Sequence, residues 1–115
     1  MNMKPLMIDV HKKNFGSIIR IDGEIGSDNY EKFMNAAVNE VKNNNVLIDF
    51  TDVKYIASVA IGTLVKVRNE GERNGKKLIL FALAPSVQKV IKVSRMEKFF
   101  IITGNEKDAV KLING

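Results

Sequence analysis

The chain has 115 residues, 45% hydrophobic and 27% charged, enough for one globular domain spanning 1–115 and too few for two. It contains no cysteine, which excludes disulfides, thiolate metal sites and cysteine nucleophiles and is compatible with a reducing compartment. Net charge is +5 and uneven, with 7 basic and 8 acidic side chains in residues 1–57 against 11 and 5 in residues 58–115, an excess modest for a nucleic-acid binder.

Lys, Asp or Asn interrupts every hydrophobic run well short of the roughly 20 apolar residues of a membrane span. Residues 1–7 hold one Lys and one Pro and no secretory apolar core, so a cytoplasmic protein without membrane insertion is expected.

Residues 6–10 and 17–23 are short β-rich runs joined by a polar link with Asn14 and Gly16, and they read as a hairpin. In the second run Ile19 and Ile21 alternate with Arg20 and Asp22, the pattern of a strand with one buried face. Asp28 and Glu31 have capping-box spacing, and Tyr30, Phe33, Met34, Ala37, Val38 and Val41 then form one apolar helical stripe. Asn43-Asn44-Asn45 ends that helix.

Val46-Leu47-Ile48-Asp49-Phe50 is continuous enough in apolar character to be a central strand covered on both faces. Residues 59–65 fit strand or buried helix equally by periodicity, but the polar continuation through Lys66, Arg68, Glu70 and Arg73 favours a helix that ends at Asn74-Gly75. A second buried strand covers 78–83, Pro85 sits at a first helical position, and Val87, Val90 and Ile91 supply the next stripe. A short strand over 99–102 leads to Thr103-Gly104-Asn105-Glu106, again with capping-box spacing, and to a last helix carrying Ala109, Val110, Leu112 and Ile113.

The order β-β-α-β-α-β-α-β-α implies an α/β fold with a mixed, mostly parallel sheet opened by a β-hairpin and packed with about four helices. Ligands of such sheets meet the loops at the strand C-termini, which directs attention to the loop after Phe50. Asp49, Asp52 and the single His11 lack a second acid or His cluster at ligand spacing, so structural or solvated roles are expected and no cofactor or metal is implied. The glycines near 71–75 and 104 form no phosphate-cradling motif. A receiver-type phosphotransfer domain would need an acidic pair where Asp9-Val10-His11 gives one acid. Lys89, Lys92, Arg95 and Lys98 read first as a solvated helix face, with contact to acidic protein or lipid as the alternative.

The stretch Val46-Leu47-Ile48-Asp49-Phe50-Thr51-Asp52-Val53-Lys54-Tyr55-Ile56-Ala57-Ser58-Val59-Ala60-Ile61-Gly62-Thr63-Leu64 resembles the signature of the STAS domain family. In that family a hydrophobic strand leads into an Asp-Ser-Ser-Gly-Leu-Gly-like loop that opens a helix. The resemblance extends through Gly23-Glu24-Ile25, Asn74-Gly75-Lys76-Lys77-Leu78 and Pro85-Ser86-Val87, nearly the whole chain. It implies a bacterial anti-sigma factor antagonist, a binding protein rather than an enzyme. The implied partner is an anti-sigma factor that is also an ATP-using serine kinase of the histidine-kinase-like type. The family's phosphoacceptor aligns with Ser58, and the implied partner patch is Lys54, Tyr55, Ile56, Ala57, Ser58, Val59 and Ile61.

The loop departs from the motif at Ala57, Val59 and Ala60, and Gly26 stands where an acid is common. These departures suit an alternative, a STAS scaffold or accessory subunit of a larger signalling or lipid-transport complex that works without loop phosphorylation. From the residues themselves, Ser58 is either a phosphoacceptor or an N-cap, and both roles are compatible. A phosphate there would add about −1.5 to −2 charges beside Ile56, Val59 and Ile61.

Overall fold

The computed structural model describes residues 5–114; the expectation for the first residues therefore lies, for residues 1–4, outside the described part. Five strands form one sheet: β1 (Met7–Lys13), β2 (Gly16–Asp22), β3 (Val46–Asp52), β4 (Leu78–Phe81) and β5 (Ile101–Thr103). They lie in the order β1-β2-β3-β4-β5, with β1 antiparallel to β2 and every later pair parallel. The helices are α1 (Tyr30–Val41), α2 (Ser58–Arg73), α3 (Pro85–Val93) and α4 (Glu106–Asn114), and a single 3-10 turn spans Glu97–Phe99. The α/β expectation, its hairpin and the element order all hold.

Alternation along the strands divides the interior. Ile19, Ile21, Val46, Ile48, Phe50, Leu78 and Leu80 pack with α1, α2 and α3 into the main core, whereas Ile18, Leu47, Ile79 and Phe81 meet Ala109 and Val110 of α4. Stepwise crossovers of one hand in one direction place their connecting helices on the same face, and α4, which follows the last strand, is left to cover the other. β3 is thus the central strand, apolar on both sides as its sequence required.

The apolar run at 59–65 resolves as helix: Ala60, Ile61, Leu64 and Val67 are buried at helical spacing. Several boundaries differ from expectation, including β3, which runs on through Thr51 and Asp52. β1 continues through Lys13, because its backbone pairs with β2 down to Lys13 opposite Gly16, and because Lys12 bridges to Glu40 of α1. β4 stops at Phe81, where Ala82 adopts φ 61 and turns the chain toward α3. β5 begins at Ile101, because the preceding residues form the 3-10 turn, with Phe99 under the Arg68 guanidinium at 5.5 Å and Phe100 against the main core.

Neither expected capping box forms, and an asparagine stands before each helix. Asn29, not Asp28, precedes α1, and its side chain accepts from Gly26 N–H at 2.8 Å and donates to Glu24 C=O at 2.9 Å instead of capping the helix. At α4 the Asn105 Oδ1 accepts from Asp108 N–H at 2.9 Å, the geometry of an N-cap, while Thr103 Oγ1 donates to Asn105 C=O.

Candidate functional site

Three loops meet at the C-terminal end of the parallel strands: β2 to α1, β3 to α2 and β4 to α3. Their backbones are joined directly. Ile25 and Ile56 form an isolated parallel bridge, with Ile25 N–H donating to Tyr55 C=O at 3.1 Å and Ala57 N–H donating to Ile25 C=O at 2.8 Å. Ser86, at the start of α3, donates its hydroxyl to Lys54 C=O at 2.7 Å. The β3 to α2 loop is therefore clamped from both sides, although its outer surface is open.

Ser58 occupies the first turn of α2 and is exposed. It is not the N-cap. Ala57 takes that position in extended conformation (φ −74, ψ 149) with no side-chain cap, and Ala60 N–H donates to Ala57 C=O at 2.9 Å. Because residue 57 bears only a methyl group, no side-chain acceptor serves the first-turn amides. The Ser58 hydroxyl has no protein hydrogen-bond partner among the described residues. Ser86, in the first turn of α3, has the same residue type, but its hydroxyl is engaged.

The expected partner patch divides into two layers. Lys54, Tyr55, Ser58 and Val59 are exposed, with 49% of Tyr55 and 45% of Val59 accessible, and Ala57 is intermediate. Ile56 and Ile61 are at 0% and 2% and belong to the main core, so they hold the ledge from beneath and cannot touch a partner. The reason for Ile56 is its bridge to Ile25, which turns the side chain inward; Ile61 follows from helical spacing with Leu64.

Gly62 joins the surface layer, one turn after Ser58 and on the same helix face. A Cβ built there would meet nothing within 4 Å. Glycine inside a helix costs about 1 kcal/mol relative to alanine, and no contact among the described residues requires it at this position.

On the opposite face of the sheet, Arg20 Nη1 donates to Asp49 Oδ2 at 2.7 Å and its Nη2 donates to Glu106 Oε1 at 3.0 Å. Asp49 Oδ1 accepts from the Thr51 amide at 2.9 Å and the Thr51 hydroxyl at 2.5 Å. Burial pushes the Asp49 carboxyl up, but the Thr51 bonds and Arg20 outweigh it and hold the group below the ordinary carboxylate range. All of this fixes α4 to the central strand. No group of three or more acids or histidines able to hold a metal forms among the described residues, and no helix there is long and apolar enough to cross a membrane.

The family model for the STAS domain matches residues 7–109. The chain belongs to the STAS domain family. Among solved structures, an anti-sigma factor antagonist from Mycobacterium paratuberculosis superposes with a TM-score of 0.87 at 18% identity, covering 96% of each chain. The anti-sigma factor antagonist SpoIIAA in its unphosphorylated form gives 0.78 at 18% identity, over 95% of this chain and 97% of that one. The Bacillus cell fate determinant SpoIIAA in its phosphorylated form gives 0.68 at 16% identity, over 95% and 99%. At these identities the likeness is one of fold.

Proposed function

We propose that this domain is an anti-sigma factor antagonist that docks an anti-sigma factor through the Ser58 ledge and is released by phosphorylation of that serine. The observation that carries the reading is an exposed hydroxyl, held by no other group among the described residues, in the first turn of a helix that also exposes Val59 and Gly62 and follows exposed Tyr55. The partner supplies the kinase activity and ATP. Ser58 Oγ attacks the γ-phosphorus, the bond to the bridging oxygen breaks, ADP leaves, and the hydroxyl proton goes to the kinase's base.

Charge then does the switching. In the free domain, the first-turn N–H groups of α2 and the positive end of its dipole favour the phosphate. Under a docked partner the same dianion must lose its water, which is expensive wherever no cation meets it. Partner release follows without refolding, because the ledge is fixed from beneath by Ile56 and Ile61 and at its flank by Ser86. The Gly62 surface supports a partner backbone that approaches α2 closely.

The test is mass spectrometry of the chain after incubation with ATP and each candidate anti-sigma kinase of its host, alongside copurification of wild type, Ser58→Ala and Ser58→Asp. A phosphate on Ser58 and loss of the anti-sigma factor only from Ser58→Asp support the reading. Equal retention of every partner by all three forms, with no phosphate on Ser58, would leave a constitutive scaffold. Capture of a transporter ATPase instead would make the chain an accessory subunit of a membrane complex.

A further inference from the structure

We infer that the β5 edge and the groove beside it form a second docking surface, independent of Ser58, that accepts an extended acidic and apolar segment of a protein partner as a sixth strand. A groove of about 390 Å³ lies between α3 and β5, lined by Pro85, Gln88, Lys89, Ile91, Lys92, Glu97 and Ile102. Its base is apolar, at Ile91 and Ile102, and its α3 wall carries Lys89 and Lys92. Glu97 stands at the end formed by the 3-10 turn, so complementary acids belong against α3 and away from that turn.

The backbone of β5 is oriented for pairing. Thr103 C=O accepts from Ala82 N–H at 3.2 Å, so Thr103 and, two residues earlier, Ile101 turn their peptide groups toward β4. By the alternation of a parallel ladder, the N–H and C=O of Ile102 point outward. Its side chain lies over the groove, on the sheet face of its partner Leu80, and is 39% exposed; Ile101 is 45% exposed.

The opposite edge is built differently. β1 carries Asp9, Lys12 and Lys13, charges that keep an exposed edge from pairing. β5 carries Ile101, Ile102 and Thr103, no charge at all, and is protected only by its length of 3 residues. A segment added there would satisfy the outward Ile102 groups and alternate its side chains between the groove and the α4 face. The cations come from the half of the chain in which 11 basic side chains face 5 acidic ones, which selects an acidic occupant.

The probe is a fluorescein-labelled peptide of about eight residues alternating valine with glutamate, titrated by fluorescence anisotropy, with hydrogen exchange of the full chain followed by nuclear magnetic resonance. The expected result is saturable binding, slowed exchange of the Ile102 amide, and a loss of about tenfold in affinity in Lys89→Glu/Lys92→Glu. Ile102→Asn weakens binding as well, circular dichroism confirming that both variants are folded, and Ser58→Asp binds the peptide as wild type does.

No binding at millimolar peptide would overturn the inference, as would equal binding of a peptide with the same residues in two separate blocks. Preferential binding of phosphatidylglycerol vesicles, lost in the same double variant, would assign the face to lipid instead. Self-association through β5 in the free chain would assign it to a second copy.

Discussion

The two ends of the sheet are built on opposite principles. At the N-terminal end of the parallel strands polar groups are tied together. Asn45 C=O accepts from Ser17 N–H at 2.8 Å, and its Oδ1 accepts from Lys77 N–H at 2.9 Å, so one residue links the starts of β2, β3 and β4. Glu40 accepts from the buried Ser17 hydroxyl at 2.6 Å and from Lys12. Close approaches occur there too: a Cβ on Gly16, which has φ +146, would sit 2.2 Å from the Asn45 backbone oxygen, and one on Gly71 would sit 2.7 Å from the Val41 side chain at Cγ2. At the C-terminal end the chain instead leaves the Ser58 hydroxyl unheld, Val59 and Tyr55 in solvent and open space around Gly62. The tied end holds the strand starts in register, whereas the ledge is held from beneath and at its flank and leaves its outer surface free of contacts with the described residues.

The largest effect that would break this contrast lies at the tied end. Gly16→Ala meets both a forbidden backbone angle and the Asn45 carbonyl, and we expect a loss of at least about 3 kcal/mol in urea unfolding. Glu40→Ala follows, costing about 1–3 kcal/mol because it strands the Ser17 hydroxyl in the interior.

Acid gives a third test. For Glu40, burial raises the carboxyl, but the bonds from Lys12 and Ser17 bring it below its ordinary value, as the Thr51 and Arg20 contacts do for Asp49. Unfolding therefore takes up protons at these groups in acid. Their stabilisation is complete above the ordinary carboxylate range near pH 4 and is lost as pH falls through it toward the lower folded values. Urea midpoints should fall more gently below about pH 4 in Glu40→Gln than in wild type.

At the open end the expected stability changes are smaller and reverse in sign. Gly62→Ala should stabilise the domain by about 0.5–1 kcal/mol while weakening binding of the proposed anti-sigma factor, a combination expected of an interface glycine. Ser58→Ala should alter stability by less than about 0.5 kcal/mol, since a first-turn alanine suits a helix and no cap is lost. A loss near 1 kcal/mol would restore the N-cap role.

Periodicity carried much of this architecture: the stripe from Tyr30 to Val41, the doubly covered strand at Val46 and the alternation of β2 each fix an element and its buried face. The caps were less legible, because Asp28 and Asn29, or Thr103 and Asn105, compete for the same amides and only the three-dimensional path decides between them. Which loop precedes α2 was legible, but the depth of its residues was not. Ile56 and Val59 have similar apolar character, yet Ile56 is drawn inward by a bridge to Ile25, a residue from a different loop that no local pattern connects to it. The Ser86 clamp on Lys54 was hidden for the same reason.

The central claim is that charge at Ser58 alters docking and not folding. It is tested most directly by measuring, by calorimetry, the affinity of the anti-sigma factor proposed as partner for the chain with and without a phosphate on Ser58, with amide spectra of both forms. We predict a loss of at least about a hundredfold in affinity, with spectral changes confined to the loops around Tyr55, Ser58 and Ser86. Unchanged affinity, or a spectrum altered throughout the sheet, would contradict it.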